Sequence, residues 1–586
     1  MKQQLEQLLL RALQSLTGTV LAETPDASVV TVERTRDTQH GDFATNIALR
    51  LAKAAGKKPR DLAQAIVAAL PPSPVVAKTE VAGAGFINFY LTSDSYAREI
   101  GRIHELGETY GRSTLGQGRR VILEFVSANP TGPLHVAHGR HAAYGAALGN
   151  VLAAAGFNVH REYYINDAGR QTDILASSVW LRYLETFGEQ IVLPANGYPG
   201  EYLKPVAQTL REKVGERLRR TASDVYTGLP PDEPAGGDKE VYIDAIIARA
   251  RKLIGDNEFQ VVLDVALESM LSDIRSDLEE FGVVFDRWYS ESSLESCGAI
   301  NRALARLESQ GRTYRKDGAL WFRATEFGDE KDRVVVRENG QKTYFASDIA
   351  YHLDKRERGF ERLIDVLGSD HHGYIARVRA GLAAMGEPPE SLEVQLIQIV
   401  TLFRGDEQLK MGKRSGQFVT LRQLRADVGN DACRFFYLLR SHEQNLDFDL
   451  ELATSRTNEN PVYYIQYAHA RVASVMKQLG SRNLAFDGAA GLAALSRLNT
   501  DQEQALIATL LRYPDAIEQA ANNSAPHSIV YYLRELANAF HTYYNAEQFI
   551  VEDADLRNAR LALVVAAGQV IRNGLGLLGV SAPESM

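Results

Sequence analysis

Apolar positions along the first hundred residues fall into short amphipathic blocks. Leu5, Leu8, Leu9, Leu13 and Leu16 recur at helical spacing, and Val29-Val30-Thr31-Val32 is a β-branched run that predicts a strand. A second helix is expected from about Ala44. Pro59 opens a third, where its missing N–H costs nothing. Two short strands are expected around Gly85-Phe86-Ile87-Asn88-Phe89-Tyr90. Gly107, Gly111, Gly116 and Gly118 then punctuate a polar linker. The pattern predicts a small α+β unit over residues 1–112.

At Arg119 the texture changes. Val121 to Val126 reads as a strand, Ser127 to Pro133 as a turn-rich loop, and His138 to Ala155 as a small-residue helix closed by Gly156. Val159 to Ile165 is the next strand. This is a βαβ unit, the entry to a doubly wound nucleotide fold. Residues 175–285 are mostly helical and polar, broken by the Pro/Gly/Asp-rich stretch Gly228 to Asp238, and read as an insertion. Strands and helices alternate again to about 425, and beyond 456 only helical periodicity remains. The expected fold class is multidomain α/β: an N-terminal α+β domain (1–112), a Rossmann-type doubly wound core (117–455) and a C-terminal all-α helical bundle (456–586).

Composition narrows the class without choosing a function. With 45% hydrophobic and 24% charged residues, collagen-like, disulfide-dense and wholly disordered chains are excluded. A net charge of −9 argues against coating nucleic acid by bulk charge, but not against one local basic face, for which Arg211, Lys213, Arg217, Arg219 and Arg220 are candidates. Cys297 and Cys433 stand alone, outside any CxxC pair, so no structural zinc or disulfide framework is expected. The start, Met1-Lys2-Gln3-Gln4-Leu5-Glu6, lacks the apolar core of a signal peptide. The apolar stretch Leu561 to Ile571 is half a bilayer span. A cytoplasmic protein with no membrane association is expected.

Two segments carry chemistry. In Ser127-Ala128-Asn129-Pro130-Thr131-Gly132-Pro133-Leu134-His135-Val136-Ala137-His138-Gly139, two imidazoles stand three apart where a strand's loop enters a helix, an N-terminus suited to phosphate. In Leu402 to Arg414, an apolar strand and a polar turn lead to Lys410-Met411-Gly412-Lys413-Arg414, whose lysines can close over a leaving pyrophosphate. Taken singly, the first also fits a helix cap and the second a solvated basic turn.

Together with their surroundings they fit a known pattern. SANPTGPLHVAHGR (127–140), EYYINDAGRQ (162–171), YPGEY (198–202), TYFASDIAYHLDK (343–355), GSDHHGYIARV (368–378), DACRFFYL (431–438) and the ending GVSAPESM occur in order along the chain. They resemble the class I aminoacyl-tRNA synthetases, and the arginyl-tRNA synthetases in particular. His135 to His138 stands where that class carries its HIGH motif, and Lys410 to Lys413 where it carries KMSK.

The resemblance implies an arginine–tRNA ligase that forms arginyl-adenylate from ATP, accompanied by Mg²⁺, and charges the 3′-terminal adenosine of arginine tRNA at its 2′-OH. His135, Ala137, His138, Gly139, Lys410, Met411 and Lys413 would contact ATP, and the two histidines and two lysines would be catalytic. Glu124, Ser127, Asn129, Glu291, Tyr344, Asp348 and Asp370 would line the arginine pocket, with His371 nearby. Asn88, Phe89, Tyr467, Arg471 and Met586 would meet tRNA, the first pair at its elbow and the others at its anticodon through a DALR domain; Phe43 is expected in the core. The family's dependence on bound tRNA for activation, a monomeric state and the absence of a protein-held metal or editing domain are further expectations. Ala137 and Gly412 depart from the motifs' Gly and Ser. They leave open a catalytically impaired RNA-binding paralogue. A class I synthetase for cysteine is disfavoured by the missing zinc-ligand cysteines.

Overall fold

A computed structural model of the chain describes residues 1–35, 38–371, 373–409 and 419–586. It divides into two compact units. One joins Met1–Tyr110 to Arg471–Arg512 and Asn538–Val570; the other joins Gly111–Ala470 to Tyr513–Ala537 and Ile571–Met586.

In the first unit the Lys2–Ser15 helix buries Leu5, Leu9, Ala12 and Leu13 on one side, as the leucine spacing requires. The strand expected at Val29–Val32 is not formed. The Asp26 carboxylate accepts the Ser28 N–H at 2.8 Å and caps a 3-10 turn over Ala27–Val29, a local bond that competes with extension. The helix expected from Ala44 begins instead at Ile47. An antiparallel sheet runs in the order β1-β2-β4-β3, with β1 Glu33–Arg34, β2 Phe43–Thr45, β3 Val76–Ala82 and β4 Phe86–Leu91. Phe43 opposes Phe89 across β2 and β4, and both rings are buried in this unit's core.

The second unit is built on five parallel strands in the order β12-β11-β5-β6-β7. These are β5 Arg120–Glu124, β6 Asn158–Ile165, β7 Arg287–Ser290, β11 Arg362–Gly368 and β12 Leu392–Ile397. Between β7 and β11 lies a small antiparallel sheet of β8 Thr313–Lys316, β9 Ala319–Phe322 and β10 Arg333–Val336. A second small sheet combines β13 Val400–Arg404, β14 Glu407–Gln408 and β15 Leu446–Asp449. From β5 the chain winds one way to β6 and β7, whereas β11 pairs on the other side of β5. The strand order therefore reverses between β5 and β11, and ligands of such sheets bind at the carboxyl ends of the strands there.

The Val136–Ala154 helix is the crossover from β5 to β6 and is buried almost all round, which explains its small residues. A Cβ on Gly145 would lie 2.3 Å from the Phe125 ring. The inserted region folds as helices Leu203–Val214, Lys239–Ile254 and Asp256–Glu280, with a core around Trp180, Leu203, Ile246 and Phe259. The helical end includes Pro461–Ser481 and Ala554–Leu578. The latter is long and apolar enough to cross a membrane, yet 67% of its most apolar window is buried among other helices.

Candidate active site

At the end of β5 the chain does something unusual. Val126 and Ser127 both take positive φ (69° and 40°), a conformation that costs a side-chain-bearing residue roughly 1–2 kcal/mol. The turn brings the Ser127 hydroxyl back to donate to Glu124 Oε1 at 3.2 Å, while its Oγ accepts the Tyr164 N–H at 3.1 Å. Two residues on, exposed Asn129 donates to Gln171 Oε1 at 2.7 Å.

The loop then delivers His135 as the N-cap of the Val136–Ala154 helix. The His135 and His138 rings stack at 3.7 Å, and His138 Nδ1 accepts the His135 backbone N–H at 3.3 Å. Both rings are half-buried, as is Ala137 between them. Lys410, Met411, Gly412 and Lys413 lie outside the described residues. The residues that follow them are tied to the histidine motif: Val136 N–H donates to the Val419 carbonyl at 3.3 Å and Leu421 N–H to the Leu134 carbonyl at 2.8 Å.

Gly139, expected to meet ATP, is closely packed on its Cβ side. A Cβ there would sit 2.6 Å from the Tyr437 hydroxyl and 2.7 Å from Leu421, and its N–H is spent on the His135 carbonyl at 3.3 Å. It is a packing position that lets Tyr437 reach the Val136 carbonyl at 2.8 Å. Behind the pair, His141 is half-buried with its Nδ1 enclosed; desolvation first, then His135 and Arg140, push its pKa down to about 4.

A set of acids lies on the β6–β7 side. Glu291 follows β7 directly; burial, then Asp348 and Asp167, raise its carboxyl to about 7. Asp348, one turn into the Tyr344–Glu357 helix, is raised to about 6. Burial is the main cause, opposed by His352 and a hydrogen bond from Tyr374 and reinforced by Glu124. Neither Glu291 nor Asp348 has an ion-pair partner among the described residues. Burial, then Glu291, Asp348 and Glu124, keep the Tyr164 hydroxyl protonated and a donor. Two desolvated carboxylates, Asp348 raising Glu291, with no ion-pair partner among the described residues, define a site that a cation would complete.

Other expected residues fall around these. Tyr344 is exposed, with its hydroxyl over Gly169, where a Cβ would be 2.7 Å away. Asp370 and His371 are exposed in the turn after β11, the carboxylate 3.8 Å from His371 Nε2. Glu124 is buried and receives the Lys355 ammonium at 2.6 Å. Sequence reasoning missed Tyr164, Asp167, Gln171, Tyr374, His352, Lys355 and Asp365. All but Asp365 lie inside the quoted motifs. Asp365 stands out as a carboxylate in the apolar strand Arg362–Gly368.

The residues expected to meet RNA differ in exposure. Phe89 is fully buried against Phe43, and Asn88 is buried opposite Ala44, so neither is available to a base; Phe86, at the other end of β4, is 43% exposed. The basic face proposed on the insertion is largely committed within the protein. Arg211 donates to the Thr186 carbonyl, Arg217 pairs with Glu258, Arg219 with Glu189 and Glu216, and Arg220 holds the Leu253 carbonyl. Tyr467 is half-buried and stacks at 5.9 Å on Tyr463, Arg471 covers the Tyr544 ring at 4.4 Å, and Met586 is exposed.

A doubly wound parallel sheet with a histidine pair at its first crossover helix defines the class I aminoacyl-tRNA synthetases. Family models agree along the chain: "Arginyl tRNA synthetase N terminal domain" over residues 3–91, "tRNA synthetases class I (R), catalytic domain" over 103–191 and 254–445, and "DALR anticodon binding domain" over 465–586. The arginine–tRNA ligase of Thioalkalivibrio sulfidiphilus is 59% identical over all of both chains, and that of Legionella pneumophila 54% over 95% of each. The solved arginyl-tRNA synthetase of Thermus thermophilus superposes with a TM-score of 0.72 at 25% identity, covering all of both chains. The chain belongs to the arginyl-tRNA synthetase family.

Proposed function

We propose that the chain activates L-arginine with ATP and transfers the arginyl group to the 3′-terminal adenosine of its tRNA. The observation that carries this reading is the Glu291–Asp348 pair, desolvated and with no ion-pair partner among the described residues, beside the strand ends that also hold the histidines. A guanidinium offers five planar donors that carboxylates accept in pairs. Glu291 and Asp348 receive it, with Tyr344 above; Glu124, Ser127 and Asn129, and Asp370 from the β11 side, hold the rest of the amino acid.

In the first step an oxygen of the arginine carboxylate attacks the α-phosphorus of ATP, and the bond to pyrophosphate breaks in line. The protein supplies position and charge rather than covalent chemistry. His135 and His138 donate to the phosphates as negative charge builds, beside Ala137, and Lys410 and Lys413, with Met411 between them, follow the β- and γ-phosphates out. Mg²⁺ travels with ATP on the nucleotide's own oxygens and water. In the second step the terminal 2′-OH attacks the adenylate carbonyl and AMP leaves.

Phe86 takes the elbow contact first expected of Phe89, while Tyr467, Arg471 and Met586 approach the anticodon. A pocket whose acids are stranded without a guanidinium rejects other amino acids without a hydrolytic second site, so the inserted helices are not an editing domain. The enzyme is read as cytoplasmic and monomeric. A full-length relative at 59% identity favours the enzyme over an RNA-binding paralogue. Charging of arginine tRNA with labelled arginine tests the reading: ester-linked arginine on the tRNA is expected, and no charging at any arginine concentration would overturn it.

A further inference from the structure

The best-formed polar cluster of the second unit lies behind the proposed arginine pocket. Lys355, on the last turn of the Tyr344–Glu357 helix, is fully buried. Its ammonium donates to Glu124 Oε2 at 2.6 Å and to Asp365 Oδ1 at 2.8 Å, and covers the Tyr351 ring at 4.3 Å. The other Asp365 oxygen faces His352 Nε2 at 2.7 Å, and His352 Nδ1 faces the Asp348 carbonyl at 2.7 Å. Both ring nitrogens of His352 thus meet oxygen atoms. The chain of contacts runs from Glu124 at the end of β5, through β11, to the backbone of Asp348.

We propose that Lys355 is a positioning residue for amino-acid recognition: its buried ammonium, 2.6 Å from Glu124 Oε2, holds that carboxyl group in place and opposes its protonation, so that Glu124 presents a fixed negative group to a cationic part of the substrate. The inference rests on the reading of Glu124 as part of the arginine pocket. A carboxyl as buried as Glu124 otherwise takes up a proton. Burial drives it upward and leaves it above the ordinary carboxylate range; Lys355 is the largest influence opposing that rise, Asp365 adds to it and His352 pulls against it. Asp348, Tyr164 and Tyr374 also face it. Lys355 stays protonated, because burial, which disfavours its charge, is outweighed by Asp365 and Glu124. Asp365, although burial opposes it, is held below the usual carboxylate range by Lys355 and His352. Asp365 therefore shares the ammonium with Glu124, and His352 faces the other oxygen of Asp365. Removing one partner of such a buried pair leaves the other charge uncompensated, and a carboxyl answers that by protonating.

The test uses the full-length enzyme with arginine tRNA and the variant Lys355→Met. Difference infrared spectra at neutral pH, Lys355→Met minus parent, should show one protonated-carboxyl C=O band beyond those that Glu291 and Asp348 contribute to both. The band should vanish in Lys355→Met/Glu124→Gln. The arginine concentration for half-maximal ATP–pyrophosphate exchange should rise at least about tenfold, with that for ATP within about twofold. Asp365→Asn keeps the ammonium on Glu124, so it should show no such band; this second variant serves if Lys355→Met does not fold. A soluble Lys355→Met enzyme without the new band, or equal losses for arginine and ATP, would overturn the proposal, as would the band in Asp365→Asn that Glu124→Gln removes. Failure of Glu124→Gln alone to weaken arginine would instead strike at the pocket reading.

Discussion

His138 Nδ1 accepts the backbone N–H of His135 at 3.3 Å while the two rings stack 3.7 Å apart, so each histidine holds the other in place. The bond caps the crossover helix, and the stack presents both rings from one helix end, where N–H groups already favour phosphate. His138→Ala removes a phosphate donor and the buttress of His135 together. Adenylate formation should fall about 10²–10³-fold in rapid-quench assays, with arginine binding in equilibrium dialysis nearly unchanged. Equal losses in both would mean that the pair shapes the amino-acid pocket instead.

The acid pair makes arginine binding a protonation event. Glu291 and Asp348, raised to about 7 and about 6, hold part of a proton between them at pH 6.5, and a bound guanidinium expels it. Calorimetry in buffers of different ionisation enthalpy should therefore show proton release on binding between pH 6 and 7 and almost none at pH 8.5. The acid limb of kcat/KM for arginine should fall in the same window.

The same shifts fix the sign for stability. A carboxyl whose folded pKa is raised binds more protons folded than unfolded, so stability is lost as pH rises from its unfolded value through 7. Glu291→Gln should stabilise the arginine-free protein at pH 8, by about 1 kcal/mol once solvent screening at this partly exposed site is allowed for. It should have little effect on stability at pH 4, and it should impair arginine use. Thermal unfolding at the two pH values is the check.

Gly139 and Ala137 differ by two positions and should respond oppositely. Gly139→Ala forces its new methyl against Tyr437 and Leu421, overpacking that costs about 1–3 kcal/mol and loosens the Val136 carbonyl contact. A lower melting temperature and slower adenylation should follow. Ala137→Gly removes a methyl beside the histidines and should lower KM for ATP a few-fold without moving KM for arginine.

Phe86 and Phe89 separate binding from folding. Phe86→Ala should weaken tRNA binding in filter assays by the equivalent of about 1–3 kcal/mol, one base stack, with an unchanged melting temperature. Phe89→Ala should instead cost about 3–5 kcal/mol of stability, because its ring is wholly buried against Phe43.

These last residues mark where the sequence was readable. The crossover helix and its strands were legible because apolar periodicity and a polar loop at a strand end are local signals, and His135, His138 and Asp348 sit in ordered motifs, whereas Glu291 stands outside them. Phe86 and Phe89 could not be told apart, because the phase of β4 is set by its pairing with β2, which local pattern does not contain. Lys355 was invisible as a functional group for a similar reason. A lysine in the last turn of a helix reads as solvent-facing, and its partner Glu124 lies 231 positions away. The packing of Gly139 against Tyr437 was not legible either, because that partner lies far along the chain.

Amino-acid-dependent ATP–pyrophosphate exchange, run with and without arginine tRNA, tests the central claim most directly. The account predicts exchange with arginine in the presence of the tRNA, little without it, and none with cysteine. Exchange that follows cysteine or another amino acid, or none with arginine and tRNA together, would contradict it.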